Sequence, residues 1–434
     1  MKHYLVIQLA RFGDLLQTKR LILSLQGEGE GVVHLLVDGS LADLARFVYP
    51  GVVVHSIMAH RAGDTTFKRV LASVHGFFEV VKGVFFHRVY NLNYSGLNFS
   101  LAAAFPPEIT KGYRVEQGQI RRDEWSSILF RLASGRRTRG INLVDFWAGY
   151  CEHRIHPKAV NPKAVPGGRG IGVVLAGRNQ RRSLPVKVLA PIVHAALQRL
   201  GHGPVYLFGS PAEQGPARDL MREFPSAVRG ETVNLAGRTG LLELANEVNG
   251  LDLLLTPDTG TMHLAAHLGV PVRAFFLSSA WCFETGPYGS GHEVYQATCA
   301  CAPCLGSSRC RADIRCLSPF SAKPVIRHLL TGTSKEEQDG MTYFTSLLDD
   351  LGCTYQNLWG RDPGREDRQA MREHLCRHPG SAEGFQEKAY RAAEQIILER
   401  DWMLDNAAGR KNASPSTREM LAVPAQPNRD EPND

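Results

Sequence analysis

Residues 251–268 read LDLLLTPDTGTMHLAAHL, and the order of their parts decides the architecture. Leu251–Thr256 is an apolar run of strand length, Pro257 to Gly260 is a tight turn, and Thr261–Leu268 resumes with apolar residues at helical spacing. A strand that passes through a turn straight into a helix is half of a strand–helix–strand unit, and repeated units of that kind build a parallel sheet covered by helices. The surrounding sequence keeps the same alternation. Strands are expected at Ile171–Leu175, Val205–Phe208 and Val272–Phe276, and helices at Val186–Arg199, Pro211–Glu223, Leu241–Val248 and Lys323–Leu330. Further back the rhythm occurs a second time, with strands at Tyr4–Leu9, Val32–Val37, Val52–Ile57 and Arg88–Leu92 and helices at Leu15–Gln26, Leu41–Val48 and Phe67–Val81. Between the two stands HPKAVNPKAVPGGR, residues 156–169, whose three prolines and paired glycines read as a linker.

The expected class is therefore α/β, with two parallel, doubly wound domains at 1–155 and 170–331. A chain of 434 residues suits this, because single cores stop growing near about 250–300 residues. Past residue 331 the strand–helix rhythm is lost. A helical extension is expected over 332–405, with helical patterns at Met341–Leu351 and Glu383–Leu404, and the polar stretch 406–434 reads as disordered. With 43% hydrophobic and 21% charged residues, the chain has the material for sizeable cores. Its apolar runs fall short of the roughly 18 residues of a spanning helix, and the opening MKHYLVIQLARFGD reads as a first strand and not as a signal peptide, so a cytoplasmic protein is expected. The net charge of +7 suits an anionic ligand without requiring nucleic acid. Arginines gather at Arg131, Arg136, Arg137 and Arg139, where the plain reading is a solvated basic face, and again at Arg178, Arg181 and Arg182.

Four turns carry candidate chemistry. In an open α/β sheet, ligands bind outside the carboxyl ends of the strands, so Gly13-Asp14 after the first strand sets a carboxylate at the crevice mouth. Gly13 allows the tight turn and Asp14 is a candidate general base, the structural alternative being a helix N-cap. The sequence there lacks G-x-G-x-x-G, which disfavours a dinucleotide site. At Asp258-Thr259-Gly260-Thr261-Met262-His263, backbone amides of a helix start form an anion cradle to which the two threonine hydroxyls add donors, again against the alternative of a plain cap. His263 and His267 stand four residues apart, but the glutamate of a zinc-protease motif is missing. Gly177 to Pro185 sets Arg178, Arg181 and Arg182 beside a glycine turn, where cations can neutralise a departing phosphate. In Phe208-Gly209-Ser210-Pro211-Ala212-Glu213, the glutamate binds ribose hydroxyls or simply favours the first helical turn.

Together these elements resemble the family 9 glycosyltransferases, the bacterial lipopolysaccharide heptosyltransferases and their relatives, over roughly residues 1–330. The resemblance implies a GT-B architecture, two Rossmann-like domains facing a cleft, with the acceptor on the N-terminal side, the donor on the C-terminal side, and inversion at the anomeric carbon without an obligatory metal. Carried over, Asp14 resembles the catalytic base, Asp258, Thr259, Gly260 and His263 the donor-diphosphate site, and Glu213 the carboxylate that holds the nucleoside. Arg182 stands where a Lys-x-Trp-Pro motif supplies its lysine, and Arg182-Ser-Leu-Pro185 keeps only the spacing and the proline. Arginine grips phosphate bidentately, so stabilisation of the leaving group is retained.

Nine cysteines include five within Cys299–Cys316, too crowded and uneven for a disulfide framework. Cys301 and Cys304 form a Cys-x2-Cys pair that Cys310 and Cys316 complete into a four-thiolate set for a structural zinc or iron, with Cys299 to spare; the alternative is a group of reduced thiols without metal. Some relatives resemble this in the same place. The expected activity is inverting transfer of a sugar, heptose first, from a nucleotide-diphosphate sugar such as ADP-heptose. The acceptor is a lipid-linked or protein glycan or lipopolysaccharide, with peripheral association at the cytoplasmic face of the inner membrane as an implied partner surface. The rival is a GT-B scaffold without turnover, stabilised by metal and binding partners.

Overall fold

The structure is a computed structural model that describes residues 1–27, 31–60, 67–138, 140–177, 180–201, 203–306 and 309–377. The first half runs β1 (His3–Ile7), α1 (Phe12–Gln17), α2 (Lys19–Gly27), β2 (Val32–Asp38), α3 (Ala42–Val48), β3 (Val53–Ile57), α4 (Phe67–Val81), β4 (Phe86–Asn91), α5 (Gly96–Ala102), β5 (Thr110–Glu116), β6 (Gln119–Arg122), α6 (Glu124–Ser134) and α7 (Leu143–Ala148). Its six strands lie in the order β3-β2-β1-β4-β5-β6, parallel except for the β5–β6 hairpin. Both faces of β1 are covered, so Tyr4 to Ile7 are all buried, as a central parallel strand requires.

The helix expected at Leu15–Gln26 is broken into α1 and α2 at Thr18. The Thr18 hydroxyl donates to the Asp14 carbonyl at 2.9 Å and accepts from Gln8 Nε2 at 3.1 Å, a side-chain arrangement that competes with a continuous helix. The 156–169 segment contains a short 3₁₀ turn at Pro157–Ala159 and no strand.

The second half continues with β7 (Ile171–Val174), α8 (Val186–Leu200), β8 (Val205–Phe208), α9 (Gln214–Glu223), α10 (Ser226–Gly230), β9 (Thr232–Asn234), α11 (Leu241–Asn249), β10 (Leu253–Pro257), α12 (Gly260–Leu268), β11 (Val272–Phe276), α13 (Cys282–Thr285), β12 (Glu293–Ala297), α14 (Lys323–Thr331), β13 (Met341–Leu348), β14 (Cys353–Trp359) and α15 (Arg365–Arg377). Eight strands lie in the order β14-β13-β12-β11-β10-β7-β8-β9. They are parallel from β12 to β9, with β13 and β14 added antiparallel at one edge.

Those two strands correct the expectation of a helix at Met341–Leu351 and of a purely helical extension. Met341, Phe344, Leu348 and Leu351 do match a helical stripe, but MTYFTSLL is rich in Thr, Tyr and Phe, and pairing with β12 on one side and β14 on the other decides for strand. The helix expected at Glu383–Leu404 and the polar stretch 406–434 lie outside the described residues.

The cores do not respect the boundary between the halves. Met371 and Leu375 of α15 pack into the core of the first half with Leu264 of α12 and Leu351 of the β13–β14 turn. At the same junction Asp145 of α7 is buried. One carboxylate oxygen accepts from Arg20 Nη1 and the Tyr288 hydroxyl, both at 2.6 Å, and the other accepts from the Cys353 amide at 2.7 Å. Burial pushes the Asp145 carboxyl up against the pull of the Arg20 charge. Arg20 also donates to the carbonyls of Leu351 at 2.7 Å and Ile155 at 3.1 Å, so one ion pair ties α2, α7 and the C-terminal hairpin together.

Candidate active site

The three turns singled out in the second half follow β10, β7 and β8, which are neighbours in the sheet, so their loops share one carboxyl edge. The turn after β1 reaches the same place from the other sheet. A Cβ added at Gly13 would stand 3.2 Å from the Gly260 Cα and 3.3 Å from the His263 ring, and one added at Gly260 would overlap the Phe12 ring. Only two glycines allow helix starts of both halves to approach so closely, which places Gly13 and Gly260 together, with Asp14 next in the chain.

Asp14 sits in the first turn of α1, half-exposed, where its Oδ2 accepts from the Arg11 amide at 3.1 Å. The N-cap of α1 is Arg11 and not Asp14, which stands three residues on and reaches back to the N-cap amide as one half of a capping box. Thr259 is the N-cap of α12, its hydroxyl accepting from the Met262 amide at 3.4 Å and contacting the Thr256 hydroxyl at 3.0 Å. The Thr261 side chain is buried in the same turn. His263 is buried one helical turn on, and burial first, then the Arg182 charge, hold its imidazole down to about 4 against the opposing pull of Asp258. It is neutral at physiological pH. His267 is drawn elsewhere: Lys19 Nζ lies 2.8 Å from its Nδ1, so the His263–His267 pair does not turn toward one ion.

Arg182, at the end of a 3₁₀ turn, forms an ion pair with Asp258 through Nη2 and reaches the Asp258 carbonyl at 3.3 Å. Thr285 Oγ1 donates to the same Asp258 Oδ2 at 3.0 Å. Gly177 closes this loop: its amide donates to Ser183 Oγ at 2.9 Å, and a Cβ there would stand 2.7 Å from the Arg182 carbonyl. Arg178 lies outside the described residues. Glu213 accepts from the Ser210 amide at 2.7 Å in a capping box, so its carboxylate has a structural partner on the same edge where a ribose was expected.

The cysteine loop is held by contacts of its own. Cys310 Sγ accepts from the Ile314 amide at 3.3 Å, while Cys304 Sγ lies 3.0 Å from Arg181 Nη2 and 3.5 Å from Ser278 Oγ. Among the described residues no group of three His, Cys, Asp or Glu side chains is drawn together as a metal site, and zinc or iron on Cys301, Cys304, Cys310 and Cys316 stays a proposal that elemental analysis tests. Burial and the neighbouring Cys299, Cys304 and Cys301 thiols push the Cys316 thiol up.

What sequence reasoning missed is what holds this loop. Arg136 and Arg137, read as a solvated face, reach across from the first half. Arg137 Nε donates to the Ala302 carbonyl at 2.5 Å and its Nη2 to the Cys299 carbonyl. Arg136 grips Glu284 of α13 through Nε, at 3.1 and 3.0 Å to the two oxygens, and through Nη2 at 2.7 Å. The arginine run was visible in the sequence; nothing there pointed to Glu284 or Thr285.

Comparison with known proteins agrees with the family resemblance. Residues 192–313 match the family model described as Glycosyltransferase family 9 (heptosyltransferase). A stretch of 72 residues, 17% of this chain, is 33% identical to the lipooligosaccharide heptosyltransferase 2 of Haemophilus influenzae, and spans only 21% of that relative's length. Among solved structures, the family 9 glycosyl transferase of Veillonella parvula is similar over 68% of this chain and 85% of its own, at TM-score 0.53 and 18% identity. The ADP-heptose lps heptosyltransferase II of E. coli aligns over 68% and 90% of the two chains, at TM-score 0.49 and 17% identity. The fold is GT-B-like, as the resemblance implied. Among the described residues no helix is long and apolar enough to cross a membrane.

Proposed function

We propose that this chain, whose residues 192–313 carry glycosyltransferase family 9 sequence, transfers a sugar from a nucleotide-diphosphate donor to an envelope glycan, with inversion at the anomeric carbon. The observation that carries this reading is the meeting of Gly13 and Gly260. It brings the turn bearing Asp14 against the amide-rich start of α12, with the Arg182 guanidinium paired to Asp258 on that same turn.

The acceptor hydroxyl gives its proton to Asp14 as its oxygen forms the new bond to the anomeric carbon, and the bond from that carbon to the diphosphate oxygen breaks on the opposite face. Arg182 and the amides around Thr259–Thr261 take up the negative charge that the departing nucleoside diphosphate acquires. His263, held neutral by burial, adds no positive charge of its own to this set. Glu213 leaves its Ser210 cap to take ribose hydroxyls or stays as a cap, and Gly177 keeps the arginine loop closed. No step of this reaction uses a metal ion of the protein.

ADP-heptose is the first donor to test and a lipid-linked or lipopolysaccharide core sugar the first acceptor, which implies work at the cytoplasmic face of a membrane. The test is product formation from a panel of sugar nucleotides with such an acceptor. Turnover of one donor, with inverted configuration at the new bond by NMR, supports the reading. Tight binding of a sugar nucleotide with no transfer or hydrolysis would instead make the chain a scaffold.

A further inference from the structure

Arg136 belongs to the first half, yet every hydrogen bond of its side chain named here ends in the second. Besides Glu284, it donates to the Ser279 carbonyl at 2.7 Å and to the Cys304 carbonyl at 3.5 Å. The side chains of Arg136 and Glu284 are only 9% and 5% exposed, so this two-oxygen grip is shielded from solvent and geometrically fixed. Glu284 and Thr285 are consecutive residues of α13, a helix of four residues, so a displacement of one carries the other. The Thr285 hydroxyl then meets Asp258 Oδ2, the oxygen that also receives Arg182 Nη2. An oxygen holding two donors has its direction set by both, and moving Thr285 re-aims the carboxylate and with it the guanidinium. Arg182 Nε, for its part, is buried without a hydrogen-bond partner among the described residues. A guanidinium N–H left unsatisfied in the interior is costly unless a ligand oxygen meets it.

We infer that Arg136 is a positioning residue for the donor site, latching α13 to the acceptor-side half so that Thr285 holds Asp258, and Asp258 aims Arg182, at a diphosphate oxygen. The inference rests on the donor reading above and adds that this chain of side chains couples the junction of the two halves to the donor site. Donor binding is then strongest when the halves are latched.

The test uses the full chain and four probes, ADP, GDP, UDP and CDP, with affinity measured by calorimetry and folding checked by circular dichroism. Thr285→Val should weaken binding of the preferred diphosphate about tenfold, the scale of one hydrogen bond to a charged group, and Thr285→Ser should restore it. Neutralising the latch as a pair, Arg136→Gln with Glu284→Gln, avoids stranding a buried charge and should weaken binding by a similar factor. Adding Thr285→Val to that pair should cost little more, since groups acting through one path are not additive. If the pair variant fails to fold, Arg136→Lys, which keeps the charge and loses the fork, carries the same expectation. Wild-type affinity in Thr285→Val, or losses that multiply in the combined variant, would overturn the latch while leaving the donor reading intact. Failure of the wild type to bind any of the four diphosphates would overturn both.

Discussion

At the scale of single residues, Asp14 carries two roles that one substitution separates. Its carboxylate closes the capping box of α1 by accepting the Arg11 amide, and an asparagine oxygen can do the same. It cannot take a proton. Asp14→Asn should therefore fold and bind nucleoside diphosphate like the wild type while transfer falls by about 10²–10⁴-fold, the usual contribution of a general base. Retention of more than about a hundredth of wild-type turnover, in a steady-state assay, would leave Asp14 with its place in the capping box alone. Gly260 offers a steric test. A methyl group there meets the Phe12 ring, so Gly260→Ala should lower stability by roughly 1–3 kcal/mol, and Phe12→Ala in the same chain should offset part of that loss. Thermal melts of the single and double variants measure it; equal losses with and without Phe12 would mean the contact is not what makes Gly260 necessary. Site residues in strand-to-helix turns were legible because such turns announce themselves by Gly, Asp and Thr after an apolar run. Arg136 was not, because a cation on a helix end looks the same in sequence whether it faces water or a glutamate 148 residues away.

At the scale of elements, legibility followed periodicity. Phe67–Val81 and Val272–Phe276 come out with the limits expected, since each has its pattern and its breakers within its own sequence. Met341–Leu348 does not, because what makes it a strand is β12, some fifty residues earlier. The hairpin it forms with β14 also shields the edge of the parallel sheet. A chain ended after residue 340 lacks β13 and β14, leaves β12 as an open edge, and deprives the first half of Met371 and Leu375. Such a chain should elute as aggregate in size-exclusion chromatography, whereas one ended after 377 should elute as a single folded species. A soluble, folded 1–340 fragment would show that the hairpin is dispensable.

The whole molecule responds to pH through histidines that it buries uncharged. Burial holds His34, His263, His267 and His292 down to about 4, well below the ordinary 6.5. His292 is fully buried, and burial outweighs the upward pull of a hydrogen bond to the Tyr288 backbone. Between those two values the unfolded chain binds protons that the folded chain refuses, so stability is complete above about pH 6.5 and drains away as the pH falls toward 4. For one such histidine the loss approaches about 3 kcal/mol. The melting temperature should drop steeply from pH 7 to pH 4.5, and His292→Phe should flatten that slope. An unchanged slope would mean that other groups govern acid unfolding. None of this was visible in the sequence, where sixteen histidines carry no mark of which are enclosed.

The return of α15 to the first core has a consequence in time. A ribosome releases this protein from its amino end, and the six strands of the first sheet are complete once residue 122 has emerged. Yet the core beneath them takes side chains from residues 351, 371 and 375, and the ion pair of Arg20 and Asp145 takes its last partners from Leu351 and Cys353. At the usual rate of about 5–20 residues per second, the nascent first half waits on the order of ten seconds or more with an unfinished core. Completion of the first sheet at residue 122 and completion of its core at residue 375 are therefore about 250 residues of synthesis apart. A chain stalled before α15 has emerged leaves uncovered the apolar surface that Met371 and Leu375 would close, the kind of exposure through which folding intermediates aggregate.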